Sequence, residues 1–210
     1  MMTEPRLTIV SCGSFREDLE TLQEEGLLQG VDVVYTEPCL KERPRKLEEL
    51  LKERIEEVKE SSHKILVIYG DGCFLDTSDF SRGIDDLIAE TGCDYGRIRE
   101  HSCIEMMLSD EAKEELSDGM KIYWMMPAWV EHKNEVFEEW DAGKRNQTFP
   151  QNDMAIVVDS RGYYEDLLEK DPEKILEFSD WMGIPLDARA ITLDRFKELL
   201  LAALKKLREA

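Results

Sequence analysis

The stretch KILVIYGDGC, residues 64–73, is the most continuous apolar run of the chain, and it ends abruptly in two glycines and a cysteine. A run of that length bounded by a turn reads as a central strand, buried on both faces. Working outward, LTIVSC (7–12) and VDVVYT (31–36) are β-branched runs of the same kind. Between them FREDLETLQEEG has helical spacing that ends at Gly26. Pro44 opens the helix PRKLEELLKERIEEVKESS, where its missing N–H costs little. Leu47, Leu50, Leu51, Ile55 and Val58 give that helix one apolar face. A further helix is expected over SDFSRGIDDLIAETG, from near Ser78 to Gly92.

Downstream, DEAKEELSDG reads as a short polar helix, KIYWMM (121–126) as a strand, and WVEHKNEVFEEWDAG after Pro127 as a helix. The polar KRNQTFPQND (144–153) reads as the least structured part. MAIVVD (154–159) is a fifth strand, DPEKILEFSDWMG a helix, ARAITL a sixth strand and DRFKELLLAALKKLREA a terminal helix. Apolar strands separated by helices predict an α/β fold: one Rossmann-like domain over 1–210, with a mostly parallel sheet of five to six strands flanked by helices on both faces. Right-handed crossovers put all strand C-termini on one edge, where open α/β sheets bind ligands.

The net charge of −20, from 27 basic and 47 acidic residues, opposes binding to nucleic acid or to anionic membrane surfaces. No apolar run approaches the ~20 residues of a membrane span, and MMTEPRLTIVSCG does not read as a signal peptide. A cytoplasmic location is therefore expected, where the five cysteines (12, 39, 73, 93 and 103) would stay reduced.

Cys12 ends the first strand, Cys73 lies just past the central one, and His101 and Cys103 sit in the loop REHSC ahead of KIYWMM. On a parallel sheet Cys12 and Cys73 share an edge that the HSC loop can reach. Cys12, Cys73, His101 and Cys103 thus form a candidate ligand set for zinc or another thiophilic metal, set against a reading of buried cysteines and one loop histidine. A second reading pairs His101 with a thiol as base and nucleophile, with Glu105 or Asp71 available to orient it. Gly13, Gly70 and Gly72 offer backbone amides to a cofactor, although YGDGC is neither GxGxxG nor a Walker loop and Asp71 and Asp76 oppose a phosphate. Met106, Met107, Met120, Met125 and Met126, with Trp124 and Trp129, read as core packing or as a soft wall for a flat cofactor or a partner. His63, ahead of the central strand, reads as solvent-facing, and His132 as a helix-surface residue.

SCGS after the first strand, ERP before a long helix, YGDGC, REHSCIEMML and IYWMMPAWVEH, in that order, resemble an uncharacterised domain-of-unknown-function family of methanogenic archaea and bacteria. The resemblance spans nearly the whole chain. Members are often encoded beside corrinoid-dependent methyltransferases, including those acting on methylamines. The resemblance implies an accessory protein, or an undescribed methyltransferase, of one-carbon methyl-transfer metabolism, with corrinoid methyltransferase components as partners and a corrinoid as a further cofactor. Cys12, Cys73, His101 and Cys103 match the positions of the family's cysteine and histidine motifs. Two departures stand out. Lys41 in CLKERP occupies a position where the family commonly has histidine, which opens a ligand role for Cys39; and the cysteine of YGDGC lies further from the tyrosine than is usual. The alternatives are a non-catalytic scaffold for a methyltransferase system and a Cys–His nucleophilic enzyme. Where the sulfurs of Cys12, Cys73 and Cys103 lie separates these readings.

Overall fold

The computed structural model describes residues 7–62, 64–76 and 78–209. The N-terminal segment before Leu7 and the reading of His63 lie outside them. The α/β class with only parallel strands is present, but the expected single sheet is two: four strands in the order β2-β1-β3-β4, and three in the order β5-β6-β7. The chain divides into two compact units, one made of the chain up to Met106 and from Asp194 onward, the other of Met107–Leu193.

In the first unit, β1 (Leu7–Ser11) lies between β2 (Val31–Tyr35) and β3 (Lys64–Ile68), and β4 (Tyr95–Arg97) closes the far edge of β3. The registers are simple: Leu7 faces Val31 on one side and Lys64 on the other, and Ile65 faces Tyr95. Every residue of β1 and all of β3 after Lys64 are buried, as the unbroken apolar runs require of strands covered on both faces. Helix α1 (Arg16–Glu24) links β1 to β2 and α2 (Pro44–Lys59) links β2 to β3. Pro44 stands at the start of α2, whose Leu47, Leu51 and Ile55 are fully buried. Each such side chain contributes about 2 kcal/mol of transfer free energy. The C-terminal helix Asp194–Glu209 buries Phe196, Leu200, Leu204 and Leu207 at helical spacing, and Phe196 stacks on Phe15 with ring centroids 4.7 Å apart. Gly96 of β4 presents a bare backbone to Leu207, where a Cβ would lie 3.4 Å from the leucine.

Two expectations about this unit change. Helix α3 spans Ile84–Ala89 and does not begin near Ser78. Asp76 accepts hydrogen bonds from the Ser78 amide and hydroxyl and from the Asp79 amide, and Asp79 accepts from the Ser81 amide and hydroxyl. These successive side-chain turns satisfy the backbone in place of a helix. Arg82 then ties the segment down by bridging Asp76, Glu48 and Glu90. Strand β4 was not expected at all. Its sequence, YGR, has no apolar run, and β3 alone recruits it.

In the second unit, β5 (Ile122–Met125), β6 (Met154–Asp159) and β7 (Leu186–Ala190) are parallel, with β6 central and buried from Ala155 onward. β7 thus begins two residues before the expected ARAITL (188–193) and ends at Ala190. The stretch expected to be least structured is ordered: Asp141 caps a helix Ala142–Thr148 by accepting from the Lys144 amide at 2.7 Å, and Phe149 is fully buried. Phe149 belongs to an aromatic cluster with Phe137, Trp140 and Trp181, and this tertiary anchor has no periodic signature in sequence. The helix expected after Pro127 breaks at His132 into Pro127–Glu131 and Lys133–Val136. Met106, Met107, Met125 and Met126 are buried, so these methionines pack the cores and do not line a cofactor wall; Met120 alone of the five is exposed.

Replacing Leu66 on β3 by alanine is expected to destabilise the protein by about 2–5 kcal/mol, since the side chain is fully buried. Leu201→Ala, on the exposed side of the C-terminal helix, is expected to change stability by no more than about 0.5 kcal/mol. Urea unfolding midpoints of the two variants measure the contrast.

Candidate thiol site

The order β2-β1-β3-β4 reverses direction between β1 and β3, which makes the C-terminal ends of those two strands the switch point of the sheet. Each of the four strands leads, beyond its C-terminus, into a loop with one cysteine: Cys12 after β1, Cys39 after β2, Cys73 after β3 and Cys103 after β4. Cys93 precedes β4 and so lies towards the opposite edge, where the Thr91 hydroxyl donates to its sulfur at 3.3 Å. All five cysteines are free thiols.

Close backbone approaches gather the four loops. A Cβ on Gly13 would lie 2.7 Å from the Thr36 carbonyl oxygen, which draws the loop after β1 onto the loop after β2. A Cβ on Gly70 would collide with the His101 carbonyl and lie 2.6 Å from Ser102 Cα. The Asp71 amide donates to the Glu100 carbonyl at 2.9 Å and the Gly72 amide to the His101 carbonyl at 2.7 Å. The Gly72 amide is therefore already engaged. What the structure shows of Gly13, Gly70 and Gly72 is loop-on-loop packing, which requires the missing side chains.

Beneath this junction Arg97 is wholly buried. Its guanidinium donates to the Tyr69 carbonyl at 2.6 Å and to Asp85 at 2.8 Å, and it also pairs with Asp71. Arg97 is the first cause holding the Asp85 carboxyl down at about 2. Asp71 is thus committed to the guanidinium and not to orienting a histidine. Glu105 is committed as well, accepting from the Ser102 hydroxyl at the start of the helix Cys103–Met107 (α4).

Around the thiols, Ser14 is central. Its hydroxyl oxygen lies 3.4 Å from the Cys12 sulfur and 3.3 Å from the Cys39 sulfur, and it accepts from the Cys39 amide at 3.2 Å. Cys39 has a left-handed backbone, φ 56° and ψ 34°, at a residue that is only 4% exposed. That conformation costs a non-glycine residue about 1–2 kcal/mol, so the surrounding contacts must hold it there.

The thiols also sense one another. Burial pushes the Cys39 thiol up, assisted by Cys12 and Cys73 and opposed by Ser14 and Arg43. Burial and Cys12 raise Cys73 to about 11, with the Gly70 backbone, Lys41 and Arg97 opposing. Cys103 is raised well above the ordinary range by burial and then by Cys73, Cys12 and Cys39, with Lys41 again opposing. The Tyr69 hydroxyl, hydrogen-bonded to Thr36, is raised by burial and then by Cys12.

Cys12, Cys73 and Cys103, the three cysteines expected from sequence, therefore share one neighbourhood. His101 is exposed, and its ring lies against Gly72, the residue before Cys73, where a Cβ would be 2.6 Å from Nε2. Burial pushes the Cys39, Cys73 and Cys103 thiols upward, the opposite of how a thiol nucleophile is activated. Among the described residues, no three His, Cys, Asp or Glu side chains stand around a single ion position. Sequence reasoning missed Ser14 and Tyr69 and left Cys39 as a fallback. The edge rule that selected Cys12 and Cys73 selects Cys39 too once it is applied to the second strand.

A family model described as a protein of unknown function, DUF1638, matches residues 35–200, and the chain belongs to that family. The match includes Cys39, Cys73 and Cys103 and leaves Cys12 outside. No curated protein and no solved structure matches the chain.

Two outcomes follow from this geometry. The folded state holds the Cys73 proton more tightly than the unfolded chain does. Its stability contribution is therefore complete below the ordinary value of 9.0 and is lost as pH rises to about 11; urea midpoints between pH 8 and pH 11 should fall across that window. Gly70→Ala should cost at least about 1–3 kcal/mol, because the new methyl meets backbone and not a movable side chain.

Proposed function

We propose that this member of a family of unknown function holds a thiophilic metal centre on Cys12, Cys39, Cys73 and Cys103 and serves one-carbon methyl-transfer metabolism as an accessory protein. The observation that carries the reading is the placement of one cysteine beyond the C-terminus of each of the four strands of one parallel sheet. Four thiols from four separate loops are a poor way to fill a core and a good way to surround a soft cation. The donor chemistry fits, because thiolates select zinc, cuprous copper and iron–sulfur centres. Relative to the set expected from sequence, Cys39 takes the place of His101.

The chain's own residues supply the rest. Ligation removes protons from thiols that burial holds protonated, so binding releases protons and strengthens as pH rises. Lys41 faces Cys73 and Cys103 with a positive charge that favours their thiolates. Ser14 bears on Cys12 and Cys39, and hydrogen bonding of that kind orients ligands and tunes the metal. A bound soft metal would act as a Lewis acid that keeps a thiol substrate deprotonated. The methyl-transfer setting follows from the resemblance to proteins encoded beside corrinoid methyltransferases. In this reading the corrinoid belongs to a partner.

Metal analysis of untagged protein, with titration by Zn²⁺ and Co²⁺ under anaerobic conditions, tests the proposal. Retained metal at near one centre per chain, with proton release and at least tenfold weaker binding in Cys39→Ser and Cys73→Ser, is the expected result. Absence of any retained metal under all loading conditions would sink it.

A further inference from the structure

We infer that Cys12 and Cys39 are a redox pair that closes reversibly to a disulfide by exchange with a low-molecular-weight disulfide. The inference goes beyond the metal reading and does not need it, since it concerns two thiols of the reduced, metal-free chain. Geometry carries it. Strands β1 and β2 are hydrogen-bonded neighbours with Ser11 facing Tyr35, and the Thr36 amide donates to the Ser11 carbonyl at 3.0 Å. Beyond that last rung the two loops stay in contact. A Cβ on Gly13 would fall 2.7 Å from the Thr36 carbonyl oxygen and 2.9 Å from the Pro38 nitrogen. Cys12 and Cys39 flank this contact, one just before Gly13 and the other just after Pro38.

One hydroxyl joins the sulfurs. Ser14 Oγ lies 3.4 Å from Cys12 Sγ and 3.3 Å from Cys39 Sγ, so the sulfurs are no further apart than those two distances laid end to end. A serine hydroxyl leaves such a position by rotation about one bond, and a cysteine sulfur moves in the same way. A hydroxyl has one proton and two lone pairs. Here it accepts from the Cys12 thiol and, at 3.2 Å, from the Cys39 amide, which leaves its own proton for the Cys39 sulfur. That proton supports a thiolate at Cys39 as it forms, and the Arg43 charge acts in the same sense. The left-handed Cys39 backbone presents both its amide and its sulfur to this one oxygen.

Exposure orders the steps. Cys12 is partly exposed and Cys39 only 4% exposed, so Cys12 meets the reagent first. The Cys12 thiol gives its proton to solvent and its sulfur attacks the small disulfide RSSR. The S–S bond of the reagent breaks, Cys12–S–S–R forms, and one RS⁻ leaves and takes up a proton. Cys39 then loses its proton and attacks the Cys12 sulfur, expelling the second RS⁻. Two thiols of the chain have given two electrons to one small disulfide, which departs as two thiols; an excess of small thiol reverses both steps. Burial holds the Cys39 proton, so the second step is the slower one. Where the four thiols hold a metal, closure removes two of its ligands.

The test places the untagged full chain, reduced and stripped of metal by a chelator, in anaerobic mixtures of oxidised and reduced glutathione. After an acid quench, free thiols are alkylated under denaturing conditions and counted by intact mass, and joined cysteines are identified by peptide mapping. The five free thiols should fall by two, with no glutathione retained, a crosslink joining Cys12 to Cys39, and full recovery in excess reduced glutathione. Cys39→Ser should stop at a glutathione adduct on Cys12, Cys12→Ser should slow modification of Cys39 by at least about tenfold, and Cys93→Ser should close normally. A crosslink between any other two cysteines, a lasting glutathione adduct on Cys12 of the unaltered chain, or five free thiols throughout would overturn the inference. If a serine variant does not fold by circular dichroism, the unaltered chain still decides the matter. The assay contains no metal, so its failure leaves the metal reading standing, and a chain that retains no metal leaves the redox pair standing.

Discussion

The backbone of Gly70 lies against that of His101–Ser102, and the His101 ring lies over Gly72, so closely that neither glycine has room for a side chain. Most of the site depends on that approach. It carries the loop after the central strand onto the loop after the edge strand, and so brings Cys73 towards Cys103. It is secured from below by Arg97, whose buried charge would be costly alone and is matched by Asp71 and Asp85. Asp71, in the glycine-rich turn, is thus the counter-charge that lets an arginine sit inside the sheet. On the other side Gly13 brings the loop after β1 onto Thr36 and Pro38, and the four cysteine loops meet.

Much of this was legible in the sequence, for physical reasons that differ by element. KILVI and MAIVV are strands buried on both faces, and such strands announce themselves as apolar runs. Pro44 and the leucine stripe behind it mark a helix whose start and buried face are both local properties. The rest needed information that is not local. The strand YGR has no signal of its own and exists because β3 offers it a ladder. Asp76 and Asp79 divert a segment from helix through side-chain hydrogen bonds that a hydrophobic pattern does not record. Phe149 fixes a polar stretch by burying one ring among others far along the chain.

The site divides along the same line. Cys12 and Cys73 could be placed on one edge from the parallel arrangement alone. His101 was attached to them by proximity in sequence, and its ring in fact lies on Gly72 at the surface. Cys39 falls on the same edge by the same rule, but the left-handed backbone it adopts beside Ser14 has no signal in composition or spacing.

The C-terminal helix packs against β3 and β4, with Leu207 over the bare backbone of Gly96 and Lys64 bonded to the Leu207 carbonyl. All four cysteines are translated long before this helix, and the whole of the second unit is translated in between. Until the helix arrives, β4 is an uncovered edge strand of three residues and the loop bearing Cys103 has no firm base. A nascent chain therefore presents its thiols well before it can gather them.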